Sequence, residues 1–212
     1  MSSAARRTVT AENAVSKAWL RALEMTAKID NRPERTFPSA IEELGAQFGY
    51  APAIFSIRED FSHAQLAARA NSYARWALAQ GIAKRDVVCL AMNNRAEYLA
   101  IWLGITRIGG VVALMNTNLI GDSLEHCVAV AVPKHIIVAR DFVNAFEEIA
   151  IEKTARIWRY DEEIAGVIGS YSGAPLAQSE QRHVTLGDPA LLIFTSGTTG
   201  MPKAAYVSHH RI

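Results

Sequence analysis

Cysteine is scarce in this chain of 212 residues: Cys89 and Cys127 are the two present, each in an apolar stretch and neither in a CxxC or histidine-rich spacing. That scarcity argues against a disulfide scaffold and a cysteine-ligated metal, and two buried thiols are the plain reading. Excess charge of one sign is lacking as well. With 22 basic and 21 acidic side chains the formal net charge is +1, so nucleic acid is not an expected partner and any bound anion must be held locally. A suitable apolar run after the two arginines of MSSAARRTVTAEN is also lacking, so a secretory leader is not expected. The nearest approach to a membrane span, residues 99–115, is interrupted by Thr106, Arg107 and the pair Gly109-Gly110 and falls short of the roughly 20 apolar residues a span requires. A soluble helix followed by a buried strand explains it better, and the expected location is cytoplasmic. Internal repeats and low-complexity tracts are absent too.

What is present is 50% hydrophobic sequence, enough for one substantial core or two small ones, arranged in an alternating pattern. Residues 11–29 have helical periodicity, with Val15, Trp19, Ala22, Thr26 and Ile29 near one face. Packing on its own domain is the expectation for this helix; a membrane-surface helix with basic edges is the alternative. After the break at Asn31–Arg35 a second helix is expected over 38–48, then a strand over 53–57. Ser62 is placed to cap a third helix carrying Leu66, Ala70, Tyr73, Ala77 and Leu78 and closed by Gly81. Apolar strands follow at 87–92, 111–115, 135–139, 156–160 and 190–195, with helices over 96–108, 122–132 and 142–151 between the first four. Continuous runs such as Val87-Val88-Cys89-Leu90-Ala91 suit strands covered on both faces, which makes the class α/β with a mainly parallel sheet flanked by helices. Residues 164–187 read as a loop, and Asp188-Pro189 imposes an extended start on the last of these strands.

That strand runs into FTSGTTGMPKAAYVSHH. Thr195, Ser196, Gly197, Thr198, Thr199 and Gly200 offer four hydroxyls, exposed backbone N–H groups and two residues free to adopt positive φ; Lys203 adds a compact positive charge. Together they suit a polyphosphate. A plain Ser/Thr/Gly turn is the competing reading, but eight fixed positions of TSGTTGxPK arise by chance at only about 10⁻¹⁰ per window. The spacing also differs from the Walker loop, since Met201 and Pro202 separate Gly200 from Lys203 and Ala204 follows, and no G-x-G-x-x-G fingerprint is present. Asn93, Asn94 and Arg95 could approach a ligand at a strand's carboxyl end, although a turn into the next helix is the simpler role; Asn116 and Asn118 similarly fix a turn. His209 and His210 have no partners at metal-ligand spacing and are assigned no catalytic task.

FTSGTTGMPK resembles the signature loop of the adenylate-forming superfamily, which contains acyl-CoA and aryl-CoA synthetases, luciferases and peptide-synthetase adenylation domains. The upstream stretch from Phe61 to Leu119 resembles the amino-terminal part of the same superfamily, so the likeness covers most of residues 35–212. NTNLIGDSLEHC and the sequence Lys203-Ala204-Ala205 resemble the very-long-chain acyl-CoA synthetases, also called fatty acid transport proteins; Ala204 departs from the glycine usual in the wider superfamily. The resemblance implies that Thr195, Ser196, Gly197, Thr198, Thr199, Gly200 and Lys203 surround the β- and γ-phosphates of ATP, with Thr195 helping to hold Mg²⁺. It implies CoA as a co-substrate and a fatty acid as the acid, in a reaction that forms acyl-AMP and then acyl-CoA. No catalytic residue is assigned. In that family the adenine-recognising parts and the mobile carboxy-terminal domain follow the loop. The chain therefore reads as an incomplete amino-terminal domain, 34–212, behind a helical extension, 1–33, and is expected not to turn over alone. Residues 204–208 would start a strand with one open edge. A truncated nucleotide- or acyl-binding regulatory module and a small-acid CoA ligase are the alternatives, with homo-oligomerisation and peripheral membrane contact both open.

Overall fold

In the computed structural model, residues 16–24, 29, 31–56, 59–152, 154–195 and 201–212 are described. The elements in chain order are α1 (Phe37–Phe48), β1 (Pro52–Ile54), β2 (Phe61–Ser62), α2 (His63–Ala79), β3 (Val87–Ala91), α3 (Ala96–Arg107), β4 (Val111–Leu114), α4 (Gly121–Ala131), β5 (His135–Val138), α5 (Val143–Glu147), β6 (Arg156–Arg159), β7 (Pro189–Thr195) and β8 (Lys203–Ser208). The small strands β1 and β2 pair antiparallel. The others form one sheet in the order β6-β5-β3-β4-β7-β8, parallel throughout except for the final β7/β8 pair. This is the expected α/β architecture, a mostly parallel sheet flanked by helices.

Side-chain alternation along the central strands builds the two faces. Val88, Leu90, Val112 and Ile137 point into a core shared with α1, α2 and α3. Their neighbours Val87, Cys89, Val111, Ala113 and Ile136 enter a second core with Leu124, Cys127 and Val128 of α4 and Phe146 of α5. Each strand thus needs apolar residues at successive positions, the cause of the continuous runs. Both cysteines are free and buried, and burial raises both thiol pKa values.

Local signals position these helices. Ser62 and Gln65 form a reciprocal capping box at the start of α2, with Gln65 N–H donating to Ser62 Oγ at 3.2 Å and Ser62 N–H to Gln65 Oε1 at 2.8 Å. At its end the N–H groups of Gly81 and Ile82 donate to Leu78 and Ala77, a Schellman closure that requires the positive φ of Gly81. The same device ends α3: Gly109, at φ +86°, and Gly110 donate to Thr106 and Ile105. The glycine pair that interrupts the apolar stretch is thus the turn from helix to strand.

Several boundaries differ from expectation. The strand expected over 53–57 spans Pro52–Ile54, and Ile57 lies outside the described residues. The helix expected over 142–151 is confined to Val143–Glu147 behind a 3-10 turn, Arg140–Phe142. The long loop before β7 is organised by a residue whose role the sequence pattern hid. Arg75 of α2 donates to the carbonyls of Ser172, Ala174 and Pro175 and makes a two-pronged ion pair with Glu180, both contacts at 2.8 Å. The amino-terminal helix also departs from expectation. Its described part, 16–24, is exposed at every residue and buries no side chain in the domain; Val15 and Thr26 lie outside the described residues.

Candidate functional site

Because β3, β4, β5, β6 and β7 are parallel, their carboxyl ends share one rim of the sheet. Ligands of open α/β sheets bind along such a rim. Thr195 ends β7 there and Lys203 begins β8; the two are register partners in the antiparallel pair. The Thr195 hydroxyl donates to the Lys203 carbonyl at 3.4 Å, and both residues are exposed. The hydroxyl-rich loop is thereby the connection of a β-hairpin whose base puts one hydroxyl beside one ammonium-bearing side chain. Ser196, Gly197, Thr198, Thr199 and Gly200 lie outside the described residues. The hairpin is also tied to α4, where a His126 ring nitrogen lies 3.0 Å from the Pro202 carbonyl oxygen. No spacing rule singles out His126, which reads in sequence as an ordinary helix residue.

The donor set fits a polyphosphate: an exposed cation and an exposed hydroxyl stand at the mouth of a loop rich in N–H and O–H groups. For a divalent metal the protein offers little by itself. Among the described residues no group of three or more His, Cys, Asp or Glu could hold an ion. A single threonine hydroxyl suits Mg²⁺ that arrives with substrate phosphates and keeps several waters.

A second feature occupies the same rim. The chain leaves β3 for β4 on one side and later crosses to β5 and β6 on the other, so the carboxyl ends of β3 and β5 flank a topological switch point. A cavity of about 300 Å³ opens there, lined by Ser56, Met92, Asn93, Asn94, Arg95, Ala139 and Asp141. With strands about 4.8 Å apart it lies roughly 12 Å along the rim from β7. Asn93, Asn94 and Arg95 form the expected turn into α3 and line this crevice as well. The Arg95 guanidinium lies 4.7 Å from the Tyr160 ring centroid, its Nε donates to Met92 sulfur at 3.1 Å, and its buried Nη2 has no protein acceptor. Asn116 accepts from the Asn118 N–H at 3.0 Å, an Asx turn of the kind expected.

Behind the crevice is a buried polar cluster that sequence reading missed. Glu97, in the first turn of α3, accepts from Tyr73 Oη at 2.6 Å and forms an ion pair with Arg69 Nε at 3.1 Å; Tyr160 Oη lies 3.1 Å from Tyr73 Oη. Burial raises the Glu97 pKa, with Tyr73 and Arg69 opposing it, and burial also raises the tyrosine values. A helix-start glutamate ordinarily faces solvent, so only the fold reveals this one. His209, assigned no task from sequence, is 3% exposed at the end of β8, and neither ring nitrogen has a hydrogen-bond partner. Burial lowers its pKa to about 4, against the pull of Asp188.

Comparison with known proteins gives the family and bears on the fold. Residues 41–212 match the family described as AMP-binding enzyme. Long-chain fatty acid transport protein 6 of Mus musculus is 37% identical over 154 residues, 68% of this chain and 25% of its own length. Long-chain fatty acid transport protein 2 of Rattus norvegicus is 32% identical over 195 residues, 85% of this chain and 31% of its own. The chain thus spans about a quarter to a third of the length of these curated relatives. Among solved structures, the inhibitor-bound amino-terminal domain of FACL13 from Mycobacterium tuberculosis superposes with a TM-score of 0.73 at 24% identity, over 82% of this chain and 44% of that one. A fatty acyl CoA synthetase of the same organism gives 0.73 at 23% identity, over 82% and 35%. These structural likenesses bear on the fold.

Proposed function

Because the chain belongs to the AMP-binding enzyme family, we propose that it supplies the ATP-phosphate-binding part of an AMP-forming long-chain fatty acyl-CoA synthetase. The single observation that carries this reading is the Thr195/Lys203 register pair at the base of the hydroxyl-rich hairpin. The names of the fatty acid transport protein relatives support a long-chain acid. In the proposed reaction a carboxylate oxygen attacks the α-phosphorus of ATP, the bond to the bridging oxygen breaks, and pyrophosphate leaves. Acyl-AMP then gives up its acyl group to the CoA thiol, releasing AMP.

The residues of this chain serve the leaving group. Thr195, Ser196, Gly197, Thr198, Thr199 and Gly200 donate hydrogen bonds to the β- and γ-phosphoryl oxygens, and Lys203 neutralises part of the charge that grows on them as pyrophosphate departs. Mg²⁺, with Thr195 as one ligand, would supply further charge neutralisation. We place a domain boundary near residue 33, with 1–33 as an extension and 34–212 as the start of the nucleotide-binding domain. Given the share of the relatives covered, the 212 residues alone are expected to bind Mg-ATP weakly and not to turn over.

The test is fatty-acid-dependent ATP–pyrophosphate exchange by the intact protein, with Mg-ATP binding by the 212-residue chain measured in parallel. Exchange with long-chain acids, reduced at least tenfold by Lys203→Ala, is the expected result. Exchange confined to small aromatic acids would replace the acid and keep the chemistry. Nucleotide binding indifferent to Lys203→Ala would remove the phosphate-loop assignment, and turnover by the 212 residues alone would make a much smaller unit sufficient.

A further inference from the structure

The hairpin that bears Lys203 is gripped from outside its own strands. Nε2 of His126, in α4, lies 3.0 Å from the Pro202 carbonyl oxygen, one residue before Lys203. A carbonyl oxygen can only accept, so this nitrogen bears a hydrogen and donates it. On the other side of Lys203, its own carbonyl accepts from the Thr195 hydroxyl at 3.4 Å. The peptide groups before and after the Lys203 α-carbon are thus both held, one by α4 and one by β7. Residues that seat α4 are different ones. Leu124, Cys127, Val128 and Ala131 are buried in the second core and form one stripe of the helix. With about 100° of rotation per residue, His126 falls on the side away from that stripe, and it is half-buried. Glu125 ties the helix to the chain before β6, accepting from the Ala150 N–H at 3.0 Å, and Ala204 of the hairpin packs against the second core. α4 is therefore a fixed strut, and the His126 side chain is not what fixes it.

We propose that His126 is a positioning residue for Lys203, on the premise that the hairpin binds polyphosphate as inferred above. Its hydrogen bond performs two tasks. It fixes the plane of the peptide leading into Lys203, so the lysine leaves the backbone in one direction and its long side chain has less freedom to lose when phosphate arrives. It also occupies a lone pair of the Pro202 carbonyl, which, left bare, would be free to turn toward the ammonium group and compete with the phosphate for it. His126 touches no reacting atom in this role and acts through the lysine.

The experiment measures Mg-ATP affinity and ATP–pyrophosphate exchange by the intact protein and its variants Lys203→Ala, His126→Phe, His126→Gln and Lys203→Ala/His126→Phe. Phenylalanine keeps the ring and removes the donor, whereas glutamine carries an amide N–H at about the reach of Nε2. His126→Phe should weaken Mg-ATP binding about fivefold and raise the KM for ATP correspondingly, with the KM for the acid and the melting curve unchanged. His126→Gln should return binding to within about twofold of wild type. In the Lys203→Ala background, adding His126→Phe should cost less than about a further twofold, because the two residues act through one group. A histidine that merely supported the fold would lower the melting temperature, and its effect would persist undiminished without the lysine. Weakening by Lys203→Ala with no effect of His126→Phe overturns the positioning role and leaves the phosphate loop standing. So do full additivity in the double variant and a glutamine no better than phenylalanine. Binding indifferent to Lys203→Ala overturns the phosphate-loop assignment itself, and the role of His126 falls with it.

Discussion

The middle and one margin of the sheet are built to opposite specifications. Every residue of β3 is buried, as are the first three of β4, whereas β8 contains no buried residue and β7 emerges into solvent over its last three positions. The middle is held by two cores and contributes no group to the hairpin; the margin has little packing of its own and carries Thr195 and Lys203. A rigid interior that positions a thinly packed, hydrogen-bonding rim is the division of labour common in open α/β sheets. Substitutions should therefore separate cleanly. Those in the interior should cost stability and spare binding, and those at the rim should do the reverse.

The largest expected effect is in the interior, at Gly104 on α3. A Cβ there would lie 2.5 Å from Tyr73 Cβ, 2.6 Å from the Ala70 carbonyl oxygen and 2.8 Å from the Ala74 nitrogen. Two of these atoms are backbone and cannot turn aside, so α2 and α3 must separate. Gly104→Ala is expected to cost about 3 kcal/mol, and Gly104→Val more. Urea denaturation measures this, and a change below about 0.5 kcal/mol would mean that the helices slide apart freely. At the rim, Lys203→Ala should leave stability within about 0.5 kcal/mol and weaken Mg-ATP binding about tenfold to a hundredfold. A loss of stability as large as that of Gly104→Ala would show that Lys203 also supports the fold and would erase the contrast.

His209 stands between the two cases, because it is buried although it follows an exposed strand. In the folded chain its pKa is about 4, below the ordinary 6.5. The unfolded chain therefore binds more protons between these values. Stability should be level above about pH 6.5 and fall as the pH drops toward 4, by up to roughly 3 kcal/mol. His135, whose pKa burial also lowers, acts in the same direction, so the informative quantity is the difference between wild type and His209→Phe. The variant should lose less stability than wild type on going from pH 7 to pH 4.5. Equal losses would mean that His209 is reached by water in the folded state.

The same contrast decides what the sequence could reveal. Val87 to Ala91 announced a strand covered on both faces, and Ser62 and Gly81 marked the ends of a helix, because each acts on its neighbours through backbone geometry. The loop proposed to hold phosphate is read from sequence on a similar basis, since the chemistry assigned to it resides in a contiguous stretch. What stayed hidden depends on residues far apart in the chain. Arg75 fastens a loop about 100 positions away, and Glu97 acquires Tyr73 and Arg69 of α2 as partners, with Tyr160 reached through Tyr73. The crevice at Arg95 exists only once β5 lies beside β3. The exposure of residues 16–24 was equally beyond reach, for amphipathic periodicity is the same whether the apolar face is covered or bare.

The smallest expected effect tests whether the interior specification extends to the turns that feed it. Val132 caps α4 in the left-handed region, at φ +46° and ψ +56°, and its side chain is 65% exposed. A β-branched residue is strained in that conformation, and its exposed side chain recovers little through burial. Its backbone N–H nevertheless closes the helix by donating to the Val128 carbonyl at 3.1 Å, and Pro133 follows at once, so the geometry is dictated by the chain leading into β5. Val132→Gly removes the clash and keeps the hydrogen bond, while adding conformational freedom to the unfolded chain that offsets part of the gain. The expected net result is stabilisation of about 0.5–1 kcal/mol, with Mg-ATP binding unchanged. Destabilisation by Val132→Gly would show that the valine side chain, despite its exposure, is held by contacts along α4 that outweigh the backbone strain, and the turn would then belong with the packed middle of the sheet.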